Sequence, residues 1–138
     1  MQIKLKVLLF LLLAGTVTYA QKVQQYKQVS PNKLAVNTAS GQKLLQQIKQ
    51  GTAYLIDVRT PEEYKVTHLQ YAQNISIKSA DFGEQVKRLD KDKFIYLYSH
   101  SGNRSGKATD TLLTLGYKKT YNIGGLDSLE KAGFAIVK

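Results

Sequence analysis

Short apolar runs alternate along the chain with segments in which apolar residues recur at every third or fourth position. The runs at 53–58 and 94–98 are almost continuous, which is typical of strands buried on both faces of a sheet. Leu44, Leu45 and Ile48 instead recur at helical spacing. Because predicted strands and helices alternate throughout, the expected fold class is α/β, a compact sandwich around a parallel sheet.

Capping and turn residues mark the boundaries of these elements. Thr60 followed by Pro61 is a typical helix start, and Gly51 and Gly116 are typical helix ends. The pattern predicts helices at 38–50, from 61, at 82–89, at 105–115 and at 126–132, and strands at 53–58, 74–77, 94–98 and 119–123, with a short edge strand at 34–36.

The first twenty residues have the features of a secretory signal peptide. Lys4 and Lys6 precede an apolar stretch at 7–14, and the segment ends in the small residue Ala20. The predicted organisation is a signal peptide at 1–20, a polar tether at 21–33 and one domain at 34–138. We expect an exported protein, periplasmic or secreted, with no stable membrane span after cleavage; an uncleaved amino-terminal anchor stays open as the alternative.

Composition narrows the possible partners. The 138 residues carry a formal net charge of +10, which favours acidic partners. The lysines are scattered and form no platform with aromatic residues, so no nucleic-acid partner is predicted. The chain has no cysteine, which excludes disulfides, thiolate chemistry and a lipoprotein anchor. No cofactor and no metal are expected.

The pattern of apolar and polar residues changes between Tyr96 and Ala108. The apolar run ends at Tyr98, a polar loop follows, and a helical pattern begins at about Ser105. Such a loop lies at the carboxyl end of a strand, where α/β folds place their ligands. Unpaired N–H groups of the helix's first turn, the helix dipole and Arg104 favour an anion there. The alternative is an ordinary strand–turn–helix connection whose serine and asparagine residues only cap and turn.

Several segments together resemble the signatures of rhodanese-like domains. These segments are Leu55–Tyr64, His68-Leu69 followed by Asn74–Ile77, Ser101–Ser105, and Gly124-Gly125 with Lys131-Ala132-Gly133. The resemblance is to the single-domain members of this sulfurtransferase homology family and covers roughly residues 34–138. It implies a three-layer sandwich around a mostly parallel sheet. Enzymes of the family move sulfane sulfur from a donor such as thiosulfate to cyanide or a thiol, and a loop cysteine carries it as a persulfide.

The residue that corresponds to this cysteine is Ser99. A hydroxyl is far less acidic than a thiol, acts as a nucleophile only beside a general base and has no stable counterpart of the persulfide. His100 is adjacent in sequence, so its side chain is expected to diverge from Ser99, and no Ser-His-Asp set can be assembled. The related phosphatases also require a cysteine. We therefore expect no catalytic residue and an inactive homologue.

The loop that remains is predicted to bind a small oxyanion (sulfate, thiosulfate or phosphate) or an unidentified protein. We call residues 99–105 the cradle loop. Its predicted ligand-binding residues are Ser99, His100, Ser101, Gly102, Asn103, Arg104 and Ser105. Gly102 permits a tight turn, and Ser105 is expected to cap the helix. Arg104 offers either a forked contact to an oxyanion or an ion pair that fixes the loop.

Four residues outside the loop are predicted to support it: Asp57, Arg59, Glu63 and His68. The resemblance implies an ion pair between Arg59 and Glu63 that holds a strand to a short helix. His68 is expected to be a packed, hydrogen-bonded imidazole under the loop. Asp57 is expected to fix either nearby backbone or His68.

Two other functions stay open. The chain is a thiosulfate-type sulfurtransferase if the natural residue at position 99 is cysteine or if another mechanism operates. It is a structural or scaffolding domain if the cradle binds nothing.

Overall fold

The computed structural model describes residues 25–138, so the predicted signal peptide at 1–20 and the first four residues of the predicted tether lie outside the described residues. The helices are α1 (Thr38–Lys49), α2 (Pro61–Val66), α3 (Phe82–Val86), α4 (Asn103–Thr114) and α5 (Leu126–Lys131). The strands are β1 (Ala53–Asp57), β2 (His68–Leu69), β3 (Gln73–Asn74), β4 (Phe94–Ser99), β5 (Thr120–Gly125) and β6 (Ile136–Val137). Across this part of the chain, no helix has both the length and the apolar character needed to cross a membrane.

The central sheet has four parallel strands in the order β3, β1, β4, β5. Consecutive parallel strands need crossover connections, and α3 and α4 supply those before and after β4. Strands β2 and β6 form a separate antiparallel pair. The predicted α/β class with a mostly parallel sheet is confirmed.

Apolar side chains are buried on both faces of the central sheet. On one face, Leu55 and Tyr96 pack with Leu129 of α5. On the other, Ile56 packs with Leu112 of α4. Alternate residues of each strand therefore pack into the hydrophobic cores on opposite faces of the sheet. This is why β1 and β4 are almost continuously apolar in sequence. The result is a three-layer sandwich with helices on both sides of the sheet.

Helix α4 begins two residues earlier than the pattern predicts. Gly102 has a φ of +95° and takes the N-cap position, so Asn103 is already helical. A left-handed backbone at this point is easy only for glycine. The helical pattern alone missed this start because the first turn carries no apolar residue.

Three other predicted boundaries differ from the structure. The expected edge strand at 34–36 is reduced to a single bridge between Lys33 and Asn122. The strand predicted at 74–77 is confined to Gln73–Asn74, although the N–H group of Ile77 still donates to a carbonyl next to β1. Helix α3 ends at Val86. The β2–β6 pair was not predicted, because two-residue strands distant in sequence leave no periodic signal.

We expect Leu112→Ala to lower the free energy of unfolding by about 2–5 kcal/mol, because Leu112 is fully buried and its truncation leaves a cavity between α4 and the sheet. Leu115 follows the same helix and is 43% exposed, so Leu115→Ala is the matched control with a much smaller effect. Urea denaturation of the two variants measures the difference. Equal losses would contradict the assignment of this core.

Candidate functional site

The cradle loop lies at the carboxyl end of β4, between the ends of β1 and β5. Its backbone passes very close to the end of β5: a Cβ atom on Gly125 would lie 2.5 Å from the carbonyl oxygen of His100. Gly125 therefore cannot be replaced without moving the loop. His100 and Ser101 are exposed at its outer surface, and the Asn103 side chain donates to Ser101 Oγ over 3.3 Å.

The Ser99 hydroxyl lies buried at the centre of the loop, with 1% of the residue exposed. The N–H groups of Gly102 and Ser105 donate to Ser99 Oγ over 3.1 and 3.2 Å. Ser105 Oγ lies 3.1 Å from Ser99 Oγ and donates its own proton to Asn122 Oδ1 over 2.7 Å. Ser99 therefore donates to Ser105 Oγ. Both lone pairs and the proton of the Ser99 hydroxyl are used inside the loop.

Asn122 of β5 joins the loop to its surroundings from behind. Its Nδ2 donates to the carbonyl oxygens of Gly102 and of the Gln28 side chain, each over 2.9 Å. Its Oδ1 accepts from Ser105 and from the N–H group of Gly124. The sequence analysis missed both Asn122 and Gln28. An asparagine inside an apolar strand was the available signal, because strands are depleted in asparagine.

Arg104 forms the ion pair that was one of its two predicted roles. Its Nη1 and Nη2 donate to Glu63 Oε2 and Oε1 over 2.7 and 2.9 Å. The hydrogen bonds from Arg104, together with those from Thr60, lower the pKa of Glu63 to about 2 despite its partial burial. The pair joins α4 to α2, and it directs the guanidinium fork toward a carboxylate of the domain itself.

The expected ion pair between Arg59 and Glu63 is wrong. Arg59 turns back onto Asp57, with Nη2 2.7 Å and Nε 3.1 Å from Oδ2, and both residues are buried. The reason is burial: the Asp57 carboxylate is completely inaccessible to water and needs donors, whereas Glu63 lies near the surface and faces Arg104. Arg59 Nη2 also donates to the carbonyl oxygen of Thr67 over 2.6 Å.

Asp57 has two further donors, and neither is His68. The N–H group of Arg59 donates to Asp57 Oδ1 over 2.9 Å, and the Tyr98 hydroxyl donates to Oδ2 over 2.7 Å. Burial, reinforced by the nearby Asp57, raises the pKa of Tyr98, so its hydroxyl stays protonated. Tyr98 also accepts from the N–H group of Leu69 over 3.0 Å. Asp57 thus fixes backbone, as one of its two predicted roles required.

His68 packs beside Tyr64, four residues earlier. The two rings are stacked with centroids 3.8 Å apart, and His68 Nδ1 lies 2.8 Å from the carbonyl oxygen of Tyr64. Within residues 25–138, neither a histidine nor a carboxylate is hydrogen-bonded to Ser99 Oγ. The same residues contain no cluster of three or more acidic or histidine side chains able to hold a metal ion.

Comparison with known proteins agrees with this geometry. The profile of the rhodanese-like domain family matches residues 40–132. The chain belongs to the rhodanese-like family. The rhodanese-like domain is 36% identical over 74 residues to thiosulfate sulfurtransferase PspE of Escherichia coli K12, a match that covers 54% of this chain and 71% of that protein. It is also 36% identical over 104 residues to thiosulfate sulfurtransferase 18 of Arabidopsis thaliana, which covers 67% and 74% of the two chains.

Solved structures confirm the rhodanese-like fold. A rhodanese with anions from E. coli is 34% identical with a TM-score of 0.51, and the match covers 62% of this chain and 98% of that one. A rhodanese-related protein from Thermoplasma volcanium is 31% identical with a TM-score of 0.55, covering 75% and 96%. The resemblance drawn from the sequence motifs is therefore confirmed, and the cysteine-free chain is consistent with serine at the nucleophile position.

Arg59→Met should lower the free energy of unfolding by about 3–5 kcal/mol, because it leaves the Asp57 carboxylate buried without its charged partner. Lys87→Met removes the partner of Glu84 from an exposed pair and should leave stability almost unchanged. Chemical denaturation compares the two variants. A similar small loss in both would show that the buried pair contributes little.

The Glu63–Arg104 pair should stabilise the domain fully above about pH 4.5, and this contribution should be lost as the pH falls through about 2, because the folded-state pKa is the lower one. NMR titration of the Glu63 carboxyl carbon measures this pKa. In Arg104→Met the pKa should rise toward 4.5, whereas Lys65→Met, on the same helix as Glu63, should leave it in place. An unchanged pKa in Arg104→Met would refute the pairing.

Proposed function

We propose that this chain is an exported rhodanese-like domain that does not transfer sulfur and that binds a small oxyanion at the mouth of the cradle loop. The observation that carries the proposal is the Ser99 hydroxyl, which accepts the loop's N–H groups at the position where the family holds its nucleophile. Export is proposed from the signal-like residues 1–20. No cofactor is required for this function.

The environment of Ser99 opposes nucleophilic catalysis. Its proton is directed to Ser105, whose own proton goes to an asparagine, so the hydrogen-bond chain ends on a group that cannot act as a base. His100, the next residue, is exposed at the outer surface of the loop and is not hydrogen-bonded to Ser99 Oγ. A hydroxyl held in this way stays neutral near pH 7, and it offers no sulfur atom on which a persulfide could form.

The start of α4 supports binding of an oxyanion. Among the described residues, the N–H groups of Asn103 and Arg104 have no acceptor, and the positive end of a twelve-residue helix lies beside them. The E. coli rhodanese of similar structure was solved with anions. The chain's net charge of +10, of which Lys4 and Lys6 in the predicted signal peptide carry two, adds a favourable field. A protein partner would offer the same chemistry through a carboxylate side chain.

Arg104 limits the strength of such a site. Because its guanidinium is paired with Glu63, an anion at the mouth is held mainly by backbone N–H groups and by the polar side chains of Ser101 and Asn103. Backbone donors discriminate little between tetrahedral anions. We therefore expect sulfate, thiosulfate and phosphate to compete with one another.

Sulfur transfer is the rival function, because two relatives at 36% identity are named thiosulfate sulfurtransferases. An assay of thiocyanate formation from thiosulfate and cyanide separates the two. We expect the unaltered protein to show no more turnover than the Ser99→Ala variant. Ser99→Cys should gain measurable turnover, because the N–H groups of Gly102 and Ser105 would then donate to a thiolate. Turnover by the unaltered protein well above Ser99→Ala would overturn the proposal.

Oxyanion binding is tested by NMR titration of the full chain with sodium sulfate. The amide signals of Asn103 and Arg104 should shift saturably, and sodium chloride at equal ionic strength should not reproduce the shift. The amide of Ile56, which lies inside β1, serves as the internal control. If sulfate and chloride give the same unsaturable change, the cradle is empty and the domain serves as a scaffold.

A further inference from the structure

The segment preceding the predicted domain is bound to it at the rear of the cradle loop. We call residues 26–33 the amino-terminal strap. Its main attachment is the carboxylate of Asp110 on α4, which accepts from the Tyr26 hydroxyl over 2.6 Å and from the N–H groups of Val29 and Ser30 over 2.8 and 3.0 Å. Part of the segment predicted as a tether thus makes specific contacts with the helix that follows the loop.

The strap continues along the outer edge of β5, which is the last strand of the central sheet. The side chain of Asn32 donates to the carbonyl oxygen of Thr120 over 3.0 Å, and the N–H group of Asn122 donates to the carbonyl oxygen of Asn32 over 3.0 Å. The N–H group of Leu34, just beyond the strap, donates to the carbonyl oxygen of Asn122 over 2.9 Å. The strap therefore covers a sheet edge that would otherwise present unpaired backbone groups.

Gln28 is the residue that brings the strap to the loop. Its Oε1 accepts from Asn122 Nδ2 over 2.9 Å. Its Nε2 donates to the carbonyl oxygens of Ser30 and Asn32 over 3.1 and 3.0 Å, so the side chain is fixed by the strap's own backbone. The Gln28 side-chain oxygen and the carbonyl oxygen of Gly102 both accept from Asn122 Nδ2, and together they orient the Asn122 carboxamide with Oδ1 toward Ser105.

The surface of α4 is shaped to receive this side chain. A Cβ atom on Gly106 would lie 3.1 Å from Gln28 Oε1, 3.2 Å from Gln28 Cβ and 3.4 Å from Asn122 Nδ2. The two distances to Gln28 are shorter than ordinary contacts, so a Cβ atom at position 106 would push Gln28 outward by a few tenths of an ångström. Glycine within a helix costs about 1 kcal/mol relative to alanine. Here the glycine leaves the space that Gln28 occupies.

We propose that the amino-terminal strap positions the cradle loop, with Gln28 and Asn122 as positioning residues. The connection runs from Gln28 Oε1 through the Asn122 carboxamide to the carbonyl oxygen of Gly102 and the hydroxyl of Ser105. Gly102 and Ser105 are the two residues whose N–H groups hold Ser99. The proposal concerns the shape of the loop and is independent of what the loop binds.

Amide hydrogen exchange of the full chain tests this connection in Gln28→Ala and Asp110→Ala. Exchange at Gly102 and Ser105 should accelerate by about tenfold in each variant, which is the effect of losing one hydrogen bond that stabilises the closed loop. Exchange at Ile56, in the centre of the sheet, should be unchanged. Glu130→Ala removes an exposed carboxylate from α5 and is the matched control for Asp110→Ala.

The exchange of Leu34 and Asn122 reports whether the strap has been released, since their N–H groups donate across the contact between the strap and β5, to the carbonyl oxygens of Asn122 and Asn32, and neither substitution removes these groups. If these two amides keep their protection in the single variants, the double variant Gln28→Ala/Asp110→Ala is measured and judged in the same way. Unchanged exchange at Gly102 and Ser105 after release of the strap would overturn the proposal. Equal acceleration of Gly102, Ser105 and Ile56 would also overturn it, because the strap would then stabilise the whole domain.

Gly106→Ala provides a second, steric test that leaves every hydrogen-bonding side chain in place. The added methyl group should shift Gln28 away from Asn122, weaken the hydrogen bond between the two side chains and accelerate exchange at Gly102 and Ser105. Gly83→Ala is the matched control, because Gly83 is also helical and a Cβ atom there meets nothing within 4 Å. If Gly106→Ala shifts the side-chain amide signals of Gln28 but leaves loop exchange unchanged, the proposal fails.

Discussion

The completely buried carboxylate of Asp57 is the constraint around which this end of the molecule is organised. A carboxylate without water must be surrounded by donors, and it receives them from the Arg59 side chain and backbone and from the Tyr98 hydroxyl. These donors come from the end of β1 and from β4. Arg59 and Tyr98 also bind the backbone at Thr67 and Leu69. One buried charge thus fixes the positions of two central strands and of the chain that follows α2.

The cradle loop is held from two further sides. In front, Arg104 is joined to Glu63 of α2 by a forked ion pair; behind, Asn122 of β5 binds Gly102 and Ser105. The loop is therefore held by contacts within the domain, and the N–H groups of Gly102 and Ser105 converge on Ser99. Such preorganisation is what a thiolate in this position would require. In this chain, the same groups surround a neutral hydroxyl.

This chain belongs to the rhodanese-like family, and the proposed function depends on the identity of one atom, the Ser99 oxygen. An oxygen atom in place of sulfur at Ser99 offers no soft nucleophile, while the N–H groups of Gly102 and Ser105 are still directed at it. A retained loop is compatible with binding of an anion at the start of α4. Of the two roles that the sequence left open for Arg104, the structure shows the ion pair, because its guanidinium donates to Glu63.

The sequence by itself determined the order of the helices and of the four central strands, the parallel sheet and the place of the loop, because continuous apolar runs and capping residues such as Thr60 act locally. It also showed that Ser99 stands where a cysteine is expected. Only the tertiary structure decided which charges pair: Arg59 binds Asp57, and Glu63 binds Arg104 across 41 positions. It also decided that Gln28 reaches Asn122 across 94 positions. Pairings of this kind depend on burial and on the packing of distant elements, which leave no periodic pattern along the chain.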